Sequence, residues 1–208
     1  TAGIQHKWVK LEASGFYGTE PGENRWTVDW GPMNSYSARL WVFPNRSWAA
    51  QASVGRLAHP ERESPGDIVR TTASISYSRR MGDHAWSTSW IWGRNHQILN
   101  GRNLNSYLLE SVYPIGTRNF ATGRIELVDK DDLFADQPEL EQELDRRAGS
   151  TFRVQEYLAG YTRDIVADDH LEAGLGFNVS LFAIPPAIQP YYGSHPAAGS
   201  VFLRVRLR

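Results

Sequence analysis

Between Leu171 and Leu181 the chain reads L-E-A-G-L-G-F-N-V-S-L, with every odd position apolar and every even position polar or glycine. A period of two belongs to a β-strand, whose successive side chains point to opposite faces; a helix would need a period of 3.6. The segment therefore predicts one apolar and one wet face, at roughly the 9 to 11 residues a tilted strand needs to cross a bilayer.

The same alternation recurs along the chain and predicts ten strands, over 7–17, 35–42, 48–55, 69–77, 85–93, 106–113, 120–128, 152–162, 171–182 and 201–208. A short helix is expected over 138–147, where a proline comes early, acids lead and arginines close the run. The expected connections alternate, short after even-numbered strands and long after odd-numbered ones, with turns at 44–47, 81–83, 114–118 and 164–169. Alternating short turns and long loops between antiparallel strands of this length is the pattern of an outer-membrane barrel. In lipid an open sheet edge leaves backbone groups unpaired, so such strands must close. The expected fold is all-β: one antiparallel up-and-down transmembrane β-barrel domain over 1–208, with short periplasmic turns and long extracellular loops.

Composition removes several alternatives. A net charge of −1 and the lack of any Lys/Arg-rich stripe give no reason to expect nucleic acid as a partner. The absence of cysteine excludes disulfides and thiolate metal sites. No run of about 18 apolar residues is present, so a transmembrane helix is not expected. Residues 1–10 have neither a basic nor an apolar leader region, so for an exported protein Thr1 is expected to be a mature or truncated start. A polar chain rich in tryptophan and tyrosine still suits a membrane barrel, whose strands give half their residues to a polar lumen.

The predicted wet face collects Lys10, Glu12, Arg39, Gln51, Arg70, Glu110, Arg124, Glu126, Glu156, Glu172, Arg204 and Arg206. All of these except Gln51 and Arg206 are expected to line a pore. The middle of the apolar face carries no charge in the clearest strands, as a bilayer would require: Arg or Lys at its midplane costs about 2 to 4 kcal/mol. Trp8, Trp48, Trp86 and Trp92 lie near strand ends, where an interfacial girdle would sit.

The final S-V-F-L-R-V-R-L-R resembles the amphipathic C-terminal strand that outer-membrane barrels present to the barrel assembly machinery, although it ends on Arg208 and not on an aromatic residue. N-S-Y-L-L-E-S (105–111), R-I-E-L-V-D-K-D-D-L (124–133) and P-Y-Y-G-S-H-P (190–196) resemble the C-terminal portion of porin-like outer-membrane proteins of Gram-negative bacteria. That resemblance covers most of the chain. It implies residence in the cell outer membrane, with lipid and lipopolysaccharide as surroundings, and it leaves open whether further strands precede these.

The sequence carries no catalytic motif. His6, His59, His84, His96, His170 and His195 are scattered, with no metal-ligand spacing. Asp129, Asp131, Asp132 and His96 fall at the expected outer rim, where ten-stranded omptin proteases carry Asp and His, but no omptin motif is matched. The acidic run at 129–132 does not have the spacing of a calcium loop. No catalytic residue, metal or cofactor is therefore expected. The expected function is a porin-like passive channel for small polar or ionic solutes, with oligomeric state open. The alternatives are a salt-bridged plugged barrel serving as scaffold, a rim hydrolase, and a soluble lipocalin-like binder with the apolar face inside.

Overall fold

Alternation of this kind makes strands only if each finds a neighbour, and here each does. The computed structural model describes residues 1–20, 26, 30–60, 66–131, 133–134, 136–148, 151–167 and 170–207. It holds eleven strands: β1 (Ala2–His6), β2 (Val9–Phe16), β3 (Ser35–Asn45), β4 (Trp48–Leu57), β5 (Ile68–Met81), β6 (His84–Gln97), β7 (Asn103–Ile115), β8 (Asn119–Lys130), β9 (Phe152–Ala167), β10 (Leu171–Ala183) and β11 (Ala197–Leu207). Two helices, α1 (Pro138–Ala148) and α2 (Gln189–Tyr192), sit in the last two long connections. The strands form one antiparallel sheet in sequence order, with β1 and β11 at its ends.

Eleven strands replace the expected ten because the segment 7–17 is the second arm of a hairpin. β1 pairs with β2 through Ala2↔Ala13 and Ile4↔Leu11, and the turn bends at Lys7, whose φ is 52°. A-G-I-Q-H holds one large apolar residue, too few to display a period; the pairing makes this strand. Other strands outrun their expected ends for a related reason. Residues 94–97 extend β6 and 164–167 extend β9, although both stretches were expected to be connection. Residues 94–97 are polar on both faces, so the backbone ladder continues there with no hydropathy signal; at 164–167 three apolar residues run together and a register shift opposite Ala173 and Gly174 breaks the alternation. The added strand preserves the alternation: connections 7–8, 46–47, 82–83, 116–118 and 168–170 are short, and those between are longer. Gly82 (φ 64°) and Gly116 (φ 68°) supply the left-handed backbone that two of the tight turns require.

The described residues gather into two compact units, Thr1–Ser76 with Ile91–Asn105, and Tyr77–Trp90 with Ser106–Arg208. In the first, Val9, Val42 and Ala50 stand abreast on β2, β3 and β4, as do Leu11, Leu40 and Ala52, and Ala13, Ala38 and Val54. In the second, Leu109, Ile125, Tyr157 and Leu181 form one transverse row, and Tyr113, Ala121, Tyr161, Phe177 and Val201 another. These rows are the exposed surface: Leu11, Leu40, Val54, Leu109, Ile125, Tyr157, Phe177 and Leu181 all lie open, and Val201 is 82% exposed. The polar face is buried along β9 and β10, at Ser180, Glu172, Asp164 and Thr162, and elsewhere is mostly half-buried. No helix among the described residues is long and apolar enough to cross a membrane.

The connection from β4 to β5 is pinned by charge. Arg56 Nε donates to Asp67 Oδ2 at 3.1 Å and the His59 backbone N–H to Oδ1 at 3.3 Å. The Arg56 bonds, then the His59 N–H, hold the Asp67 carboxyl below its ordinary value. A lowered pKa favours the charged carboxylate in the folded chain. The contribution is thus present above the unfolded value near about 4 and lost as pH falls through the folded one. A carboxyl NMR titration should find Asp67 titrating below free aspartate, and Arg56→Gln should return it toward the ordinary value; an unmoved midpoint would remove the anchor.

Candidate functional site

The wet face of β2 and β3 carries its charges in one group. Lys10 Nζ lies 2.7 Å from Glu12 Oε1, and Trp41 Nε1 donates to Glu12 Oε2 at 2.8 Å. Arg39 stands opposite Glu12, its guanidinium 5.8 Å from the Trp41 ring centroid. The same face continues through Gln51, which donates to Thr72 at 3.1 Å, and Arg70, which donates to Asn95 at 2.8 Å. Trp41 was not among the expected lumen residues. A large aromatic side chain reads as apolar in a hydropathy pattern, yet its indole N–H seeks a polar partner, and the pairing Lys10↔Trp41 places it on the wet side.

In the second unit two transverse rows carry the charge, Glu110, Arg124, Leu158 and Ser180 in one, Leu108, Glu126, Glu156 and Phe182 in the next. Arg124 bridges them, 2.7 Å from Glu126 and 3.9 Å from Glu110. Glu156 faces Glu126 and accepts a 2.6 Å bond from Ser180. All three residues of the Arg124 cluster are partly open to solvent, so each contact contributes about 1 kcal/mol or less. Together they hold two acids and a base within a few ångströms across the face.

Nearer the short-turn ends of β9, β10 and β11 the same face is packed shut. Arg204 Nη2 donates to Asp164 Oδ1 at 2.6 Å, and Arg206 Nη1 to Glu172 Oε2 at 2.9 Å. Asp164 and Glu172 are each only 1% exposed. Glycines on β10 make this possible. A Cβ on Gly174 would come 2.5 Å from Asp164 Oδ1, and one on Gly176 would strike the Phe202 ring, so side chains of β9 and β11 lie across the bare backbone of β10. Gly174→Ala is expected to push Asp164 off Arg204 and to lower the urea midpoint of the refolded protein. An unchanged midpoint would mean that the acid is not held there.

The expected lumen residues thus fall into separate groups: Lys10, Glu12 and Arg39; Arg70 with Asn95; Glu110, Arg124, Glu126 and Glu156; Glu172 and Arg204 with their partners. Asp164 belongs with the last group and was missed because the sequence places it in a turn. Of the acids expected at the rim, Asp129 lies in β8 opposite Arg153, whose Nε and Nη2 donate to its two oxygens at 2.8 and 3.0 Å. Asp132 and Arg208 lie outside the described residues. His96 Nδ1 sits 3.1 Å from Asn103 Oδ1, and among the described residues no group of three or more His, Asp or Glu is placed to hold a metal. Of the expected girdle, Trp86 donates to Ser111 at 3.0 Å and meets Tyr77 and Tyr113 edge-on, on the apolar side of β7. Trp8 and Trp48 are exposed. No protein-family model, curated protein or solved structure matches this chain.

Proposed function

We propose that the sheet is the wall of a bacterial outer-membrane β-barrel that conducts small polar or ionic solutes passively along its mixed-charge face. One observation carries this reading: the apolar rows are exposed while the polar face is half-buried and, on β9 and β10, buried, the inverse of a water-soluble barrel or sandwich. A lipid environment gives the exposed rows their solvent and accounts for the missing charge at their centre. Closure adds a requirement. In an up-and-down meander the first and eleventh strands run the same way, so antiparallel closure needs an odd number of further strands, supplied by the same polypeptide or by a neighbouring one. That requirement agrees with a chain that forms part of a larger barrel.

The decisive measurement is single-channel conductance of the natural protein in a planar bilayer, with Arg124→Ala and Glu126→Ala beside it. Steady conductance whose ion selectivity shifts with both substitutions is expected, Arg124→Ala toward cations and Glu126→Ala toward anions. A second reading, a closed barrel acting as a scaffold, is favoured by the buried Asp164–Arg204 and Glu172–Arg206 pairs, which fill the turn end of the face. Silence from a folded barrel would decide for the scaffold.

A further inference from the structure

We infer that residues 133–134 and 136–146, after β8, and the 184–196 connection fold together into one inward-turned cap, and that this cap, not the charged ladder, sets the size of solute that passes; the inference rests on the barrel reading above. The four side chains Phe134, Leu144, Phe152 and Ile188 are buried in one cluster, with Leu133, Leu140, Ile184 and Ala187 packed around it. Two connections separated by β9 and β10 therefore share a single core. Phe134 meets Tyr191 edge-on at 5.3 Å and Tyr192 at 5.9 Å, and the Tyr192 hydroxyl donates to the Leu133 carbonyl at 3.4 Å.

Phe152 fixes the direction in which the cap turns. β8 and β9 pair without a register break from Lys130↔Phe152 to Asn119↔Arg163, so parity along this part of β9 is unbroken. Even positions, Phe152, Glu156, Thr162 and Asp164, share the polar face; odd positions, Arg153 and Tyr157 among them, share the exposed apolar face. The cap takes Phe152 as a core residue and leaves Arg153 to Asp129. A loop pair folded outward would have packed on the odd side. α1 matches this orientation, since Leu140 and Leu144, one turn apart, enter the core while Glu139, Asp145 and Arg146 stay exposed.

Phe152 precedes Glu156 by four residues on one face, about 13 Å along the strand. A solute entering from the long-loop end meets the cap before it meets Glu126, Glu156 and Arg124. An apolar core shared by two connections holds one shape, so it acts as a fixed restriction and not as a pair of waving loops.

The test uses the natural protein in planar bilayers and in liposomes swollen with sugars of graded size. Two variants accompany it: Phe134→Ala with Leu144→Ala, and replacement of 133–148 by a Gly/Ser linker that leaves the strands untouched. Loosening the cap is expected to raise conductance at least twofold and to admit larger sugars, with the heat-dependent gel shift of a folded barrel retained. Should the double variant fail to fold, the linker variant carries the test. Gel-shifting variants with the parent's conductance and size limit, or silent as the parent is silent, would overturn the cap while leaving the barrel in place. A parent that never shows the gel shift would instead sink the barrel reading itself.

Discussion

Val179→Arg is expected to destabilise the protein in lipid vesicles by about 2 to 4 kcal/mol, and to do almost nothing to a chain whose apolar rows face water. Val179 lies mid-strand on β10, 47% exposed, with Ala159 and Gly199 as its neighbours across the strands. An exposed position on a soluble protein tolerates arginine within about 0.5 kcal/mol. At a bilayer midplane the guanidinium has neither water nor a counter-ion, which gives the larger figure. Depth supplies the control: Gln155 shares the outward parity of β9 near its long-loop end, and Gln155→Arg should cost only about 0 to 1 kcal/mol. Urea titration of the gel-shifted form, refolded in vesicles, reads all three proteins on one scale. Equal midpoints for the parent and Val179→Arg would show that the apolar rows do not contact lipid.

Why β10 was readable and β1 was not follows from what each strand borders. β10 separates two environments along its whole length, and its residues alternate to match. Ala2–His6 is fully exposed, so no partition is written into it, and only its backbone pairing with β2 makes it a strand. α1 was legible because caps and charges are local. The shared core of the two long connections was not: Phe134, Phe152 and Ile188 are far apart in sequence, and each alone resembles a loop hydrophobe. Of the charged face, parity sorted residues by side but said nothing of which would meet. Which acids are buried depended on glycines in the neighbouring strand. Gly174 and Gly176 read as gaps in a pattern, whereas in the fold they are the space that Asp164 and Phe202 occupy.

Removal of the Asp164 partner is expected to be among the costliest single changes on that face. Arg204→Ala would leave an almost wholly buried carboxylate whose Oδ2 already lacks a hydrogen-bond partner among the described residues. Breaking a fully buried pair costs about 3 to 5 kcal/mol; with the Arg204 side chain 27% exposed, about 3 is the better expectation. Part of the loss is packing, since the guanidinium lies 4.6 Å from the Phe120 ring centroid. Asp164→Asn keeps the shape and removes the charge, so it should cost about 1 kcal/mol, and Asp164→Asn with Arg204→Met should recover most of what Arg204→Ala alone loses. Arg124→Ala, in the half-open ladder, should cost less than about 1 kcal/mol and act on conductance instead. The contrast separates two parts of one face: a turn end closed by buried charge, and a middle whose charges stay half open to solvent. If Arg204→Ala and Arg124→Ala shift the urea midpoint equally, Asp164 is in contact with water, the turn end is open, and the scaffold reading loses its support.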